Sequence, residues 1–199
     1  DVELNASDFN HKVIIFKNDF EKQIKILSDN ATDFLKYFDI NANTKNGKLL
    51  VEGKKKENNF DGKILIEDFI AYDTPFLTKI LTFFSLDGIE QKLIDGGIIF
   101  DYLESNYSIR DFEIIFSNGF VRGSDLGLTF EGEMNFNTQD FKINGTLIPA
   151  YTLNTLITSL PIVGEIITAG SPEDGILAAS FNISNINKKL NIAFNPVSV

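Results

Sequence analysis

The chain of 199 residues has no cysteine, no tryptophan, one methionine and a single histidine. Without cysteine there is no disulfide framework, no thiol nucleophile and no thiolate metal site. His11 alone leaves a zinc centre short of its usual nitrogen and sulfur donors. No Gly-x-Ser-x-Gly elbow accompanies it, so nucleophile–His–acid chemistry lacks its parts. Positive charge is also scarce: 18 Lys and Arg face 28 Asp and Glu, for a net charge of −10 and a pI near 4.6. Such a surface repels a phosphate backbone, which argues against nucleic acid as a partner, and no polybasic membrane anchor is present. The one basic run, Lys54–Lys56, reads as a solvated hairpin tip. No linker rich in proline, glycine or serine divides the chain, and residues 1–199 read as one structural unit.

What is abundant is apolar and amide-rich. There are 19 Phe, 26 Ile and 20 Asn, a bias that an AT-rich genome produces without any functional cause. Hydrophobic residues make up 43% and charged residues 23%, a globular balance. Five Asn-x-Ser/Thr matches, at Asn5, Asn30, Asn106, Asn144 and Asn182, are close to what so much Asn gives by chance.

Period-2 alternation dominates, and it predicts a mainly β protein with a few short helices (α+β), built on an antiparallel meander. In "GLTFEGEMNF" (127–136), Leu128, Phe130, Met134 and Phe136 point one way, while Glu131 and Glu133 point the other. In "QDFKINGTLI" (139–148), Phe141, Ile143 and Leu147 share a face. Residues 111–117 repeat the pattern through Phe112, Ile114 and Phe116. Further strands are predicted over 11–17, 22–28, 47–53, 61–72, 97–104, 106–110, 174–184 and 188–195. Helical spacing marks 31–38, with a cap at Asn30 or Thr32, 75–84, opened by Pro75, and 87–94. The echo "IEDFIAYD", "IRDFEIIF", "TQDFKING" reads as Asp-Phe leading into a strand.

The carboxylate pairs Glu67/Asp68, Asp111/Glu113 and Glu131/Glu133 are candidates for acid–base work, which requires two groups across a cleft. Glu131 and Glu133 share the outer face of one strand, where solubilising charge is the simpler role. Glu173–Asp174 lacks further oxygen donors for Ca²⁺. The glycines match neither a Walker A loop nor a dinucleotide fingerprint. The expectation is a non-enzyme without metal or cofactor. The apolar face then has three outcomes: it packs on itself as a sandwich, it is covered by the helices, or it stays partly open and holds acyl chains.

The longest apolar stretch is "GTLIPAYTLNTLITSLPIVGEIITAG" (145–170). Pro161 breaks any helix that starts near Pro149, leaving about 11 residues, or roughly 17 Å, too short for a membrane span of about 20 residues. Two short amphipathic helices fit better. The first carries Tyr151, Leu153, Ile157 and Leu160, the second Ile162, Val163, Ile166 and Ile167, and Gly170 stops the pair.

This frame, with Gly145, Thr146, Pro149, Ala150, Tyr151, Asn154, Leu160, Pro161 and Gly164, followed by "GILAASFNIS" and by Asn195–Pro196, resembles the C-terminal domain of the AsmA-like family, in its YhdP-related branch. Residues 74–100, "TPFLTKILTFFSLDGIEQKLIDGGIIF", resemble the same family's helical segment and following strand. The loop Ser171–Pro172–Glu173–Asp174 departs from the Gly-rich loop usual there, and the chain stops at Val199 where the family continues.

The resemblance implies a domain excised from a longer periplasmic protein of a Gram-negative bacterium, attached to the inner membrane through a preceding part. It implies a curved sheet with an apolar groove that moves phospholipid between the inner and outer membranes. Acyl-chain contact then falls to Phe112, Ile114, Phe116, Leu128, Phe130, Met134, Phe136, Phe141, Ile143 and Leu147. The two-helix segment over 149–168 would close the groove or touch a membrane leaflet. The partners implied are a phospholipid or other acyl lipid and the membrane. The alternative is a structural or assembly module of the envelope that pairs a strand or helix with a protein partner.

Overall fold

The computed structural model describes residues 2–7, 11–17, 22–36, 43–56, 59–72, 75–83, 87–149 and 178–197. Eleven strands form one antiparallel sheet in strict sequence order: β1 (Val2–Ser7), β2 (His11–Lys17), β3 (Lys22–Ser28), β4 (Thr44–Lys56), β5 (Asn59–Ala71), β6 (Ile98–Arg110), β7 (Glu113–Gly123), β8 (Leu126–Asn135), β9 (Phe141–Pro149), β10 (Ala178–Ile186) and β11 (Lys189–Val197). The predicted mainly-β meander is therefore observed. Among the described residues, three helices interrupt it: α1 (Ala31–Lys36), α2 (Pro75–Phe83) and α3 (Asp87–Asp95). The helices lie at one end of the sheet, and short hairpin turns lie at the other. The segment over 149–168 that was expected to form two helices falls, beyond Pro149, outside the described residues.

Local chemistry fixes the turns. Asn187 and Lys188 both adopt positive φ (52° and 63°), the pattern of a two-residue type I′ hairpin that matches strand twist. The Asn135 side chain accepts from the Asn137 and Thr138 amides at 2.9 and 3.1 Å, and so shapes the β8–β9 loop. Of the two predicted caps for α1, Asn30 does the capping: its Oδ1 accepts from the Asp33 amide at 3.3 Å, and its Nδ2 donates back to the Asp33 carboxylate at 2.7 Å. The α3 helix ends where Gly97, at φ 101°, lets its amide return to the Lys92 carbonyl at 2.9 Å.

The register shifts twice between β6 and β7, at Phe100/Tyr102 and at Glu104/Asn106, and once between β7 and β8, at Phe116/Gly119, where Asn118 has positive φ. Such bulges bend the strands that contain them. The bend is visible in packing: Phe76 of α2, which follows β5, touches Phe181 of β10 and Phe194 of β11, with ring centroids 4.8 and 6.3 Å apart. Five inter-strand spacings separate β5 from β10, roughly 24 Å along a flat sheet, so the sheet must curl around the helix. The core sits in this hollow. Leu81, Ile98, Leu126, Leu147 and Ile148 are the largest fully buried side chains, and Phe69 stacks on Phe100 at 5.2 Å.

Candidate functional site

The register defines which side chains share a face, and the apolar set forms rows across the strands. Nearest the helices runs Ser28–Leu49–Ile66–Leu103–Val121–Leu128–Leu147–Ala179. The middle row runs Ile15–Ile24–Gly53–Gly62–Tyr107–Phe116–Gly132–Ile143–Ile183–Ile192. The row nearest the hairpin tips runs Lys22–Lys55–Phe60–Ile109–Ile114–Met134–Phe141–Asn185–Leu190.

Burial falls from one end to the other. In the first row Leu49, Val121, Leu147 and Ala179 are 5% exposed or less. In the second, Ile15, Ile24, Phe116, Ile143 and Ile192 are half-buried. In the third, Phe60, Ile109, Ile114, Met134 and Phe141 are half-buried and Leu190 is 50% exposed. The α2 and α3 helices account for this gradient, because Leu77, Leu81 and Leu93 cap only the first end. Lys92 of α3 anchors them by an ion pair to Asp125 in the β7–β8 turn.

The floor of the face is thinned by glycine and refilled by aromatic rings. A Cβ at Gly62 would stand 2.7 Å from the Tyr107 hydroxyl and collide with the Glu52 carbonyl; one at Gly53 would strike the Phe60 ring and the Tyr107 hydroxyl. Tyr107 thus lies across both glycines, 6% exposed, donating to the Glu52 carbonyl at 3.2 Å and stacking on Phe60 at 6.3 Å. Burial pushes its phenol up to about 12. Phe181 covers Gly145 of the neighbouring strand in the same way, an arrangement that supplies apolar area where a strand lacks a side chain.

Of the ten residues expected to contact acyl chains, eight share this face: Ile114, Phe116, Leu128, Phe130, Met134, Phe141, Ile143 and Leu147. Leu147, 1% exposed, lies under the helices rather than in the open part. Phe112 and Phe136 are not on the face. They sit in the β6–β7 and β8–β9 turns, 60% and 37% exposed, where the Phe136 amide donates to the Phe112 carbonyl at 2.8 Å. The expected contacts Tyr151, Leu153, Ile157, Leu160, Ile162, Val163, Ile166 and Ile167 lie outside the described residues. Alternation in 127–136 missed Tyr107, Ile24 and Ile192, whose membership depends on pairing with distant strands.

The opposite face is polar. Glu131 and Glu133 are exposed there, with Lys142 3.9 Å from Glu133. A depression of about 430 Å³ over β2–β5 is lined mostly by this face, and the Lys25–Glu52 pair at 2.7 Å occupies it. Among the described residues, no group of three His, Asp or Glu is placed to hold a metal, and no helix is long and apolar enough to cross a membrane. No family model, no curated protein and no solved structure matches the chain.

Proposed function

We propose that the chain is a non-enzymatic lipid-handling domain whose apolar face holds the acyl chains of a phospholipid. The observation that carries this reading is the burial gradient: towards the hairpin end, rows rich in Ile, Phe and Met run across the sheet, most of their side chains there are only half-buried, and among the described residues the helices lie at the other end. Exposed apolar area forfeits roughly 25 cal/mol per Å², and a contiguous patch of it invites association. An acyl chain laid across the rows removes that area from water and requires no reactive group. The resemblance of residues 145–196 to the AsmA-like family agrees with this reading. On it, the domain works in the periplasm of a Gram-negative cell and conducts phospholipid between the inner and outer membranes.

Native mass spectrometry and solvent extraction of the purified chain test the proposal. Bound phospholipid is expected, and Phe116→Asp with Ile143→Asp should abolish it. A folded wild-type chain that carries no lipid and takes up none would overturn the reading. A second reading, a structural module that pairs a strand with an envelope protein, is favoured by one observation: among the described residues β1 and β11 each have a single strand neighbour.

A further inference from the structure

At the hairpin end of the apolar face, the register sets Lys22 of β3 directly opposite Lys55 of β4, and Lys55 opposite Phe60 of β5. Both lysines are exposed, and among the described residues neither has an ion-pair partner. Among the described residues, the nearby acids Glu52 and Asp61 point the other way. Alternation puts Glu52 and Asp61 on the polar face, where Lys25 and the Ser108 hydroxyl each donate to them at 2.7 Å. Like charges directly opposite one another on adjacent strands are destabilising. This pair also heads a row that continues through Phe60, Ile109 and Ile114, so the solvated tip of the β4–β5 hairpin adjoins the apolar face and is not part of an ion-pair ladder. An anion held between the two ammonium groups would relieve the repulsion, and lysine serves phosphate well as a flexible point charge.

We propose that Lys22 and Lys55 bind the phosphate of a phospholipid headgroup, while the acyl chains of the same molecule run along the rows that begin beside them. The inference rests on the acyl-lipid reading above. It adds an orientation: headgroup at the hairpin end, between β3 and β4, and chains directed over β5 to β9. The hairpin end is the open one, with Leu190 and Phe112 exposed, so a charged headgroup placed there stays in water while the chains are covered.

The test compares the wild-type chain with the Lys22→Gln/Lys55→Gln variant, using phosphatidylglycerol and a diacylglycerol of the same chain length as probes, at low and high salt. Loss of two cations near an anionic headgroup should weaken phosphatidylglycerol about thirtyfold, remove most of its salt dependence, and leave diacylglycerol binding unchanged. Relief of the repulsion should raise the melting temperature of the lipid-free variant. Equal wild-type affinity for both probes, or equal weakening of both in the variant, overturns the headgroup site while the acyl reading stands. Failure of the wild type to bind either probe overturns both. If inorganic phosphate alone binds the lysine pair as tightly as phosphatidylglycerol does, the site takes a free anion and the headgroup assignment fails.

Discussion

Tyr107 offers the sharpest probe of how the apolar face is built. It covers Gly53 and Gly62, stacks on Phe60 and donates to the Glu52 carbonyl at 3.2 Å. Tyr107→Phe removes only the hydroxyl and should cost about 1 kcal/mol, the net value of a part-buried hydrogen bond. Tyr107→Ala removes the ring as well and should cost about 3–5 kcal/mol. The two glycines then distinguish the cause. At Gly53 a new Cβ meets side chains, those of Phe60 and Tyr107, whereas at Gly62 it meets the Glu52 main chain. Gly53→Ala should therefore be better tolerated, or even partly compensating, in the Tyr107→Ala background, while Gly62→Ala should remain damaging there. Urea denaturation of the four single variants and the two double variants, with the double-mutant coupling calculated, is the assay. Equal behaviour of Gly53→Ala and Gly62→Ala in that background, or a cost below about 1 kcal/mol for Tyr107→Ala, refutes the glycine-floor account.

Three further outcomes follow from the same structure. The Tyr107 phenol is raised to about 12 by burial, against about 10 in the unfolded chain, so the folded state holds its proton more tightly. That contribution is intact below pH 10 and is lost as pH climbs from 10 to 12; alkaline melts should show the loss in the wild type and not in Tyr107→Phe. Leu81→Ala, at a fully buried position over the covered end, should cost about 3–5 kcal/mol, while Ile114→Ala, half-buried at the open end, should cost about 1–2 kcal/mol, both read from urea midpoints. Lys92→Ala breaks the pair between an exposed ammonium and the largely buried Asp125 carboxylate and should cost about 1 kcal/mol, a difference that shrinks in high salt.

Local signals in the sequence were enough for the meander, because alternation, Pro75, the Asn30 cap and turn residues each act over a few positions. Pattern extension failed where the backbone leaves the strand. Phe112 and Phe136 keep the period of Ile114 and Met134, yet they lie beyond the last ladder pair, in turns. The predicted break between 97–104 and 106–110 is one strand, β6, and β7 runs past 117 to Gly123 because a bulge at Asn118 shifts its phase. The Asp-Phe echo leads into a strand at Asp111–Phe112, in the turn before β7, and at Asp140–Phe141, which opens β9, whereas Asp68–Phe69 lies inside β5 with Asp68 at φ 54°. The rest of the site depends on distance in space. The curl that brings Phe76 onto Phe181, and the register that opposes Lys22 to Lys55, join residues that no local pattern connects.

The central claim is that acyl chains lie on one face of this sheet and not on the other. Photo-crosslinking amino acids placed at Phe116, Phe130 and Ile143 on the apolar face, and at Glu131, Asn144 and Asn182 on the polar face, measure it directly in cells. Lipid adducts at the first three positions, and none at the others, are the predicted result. Adducts distributed equally between the faces, or absent from both, would contradict the account.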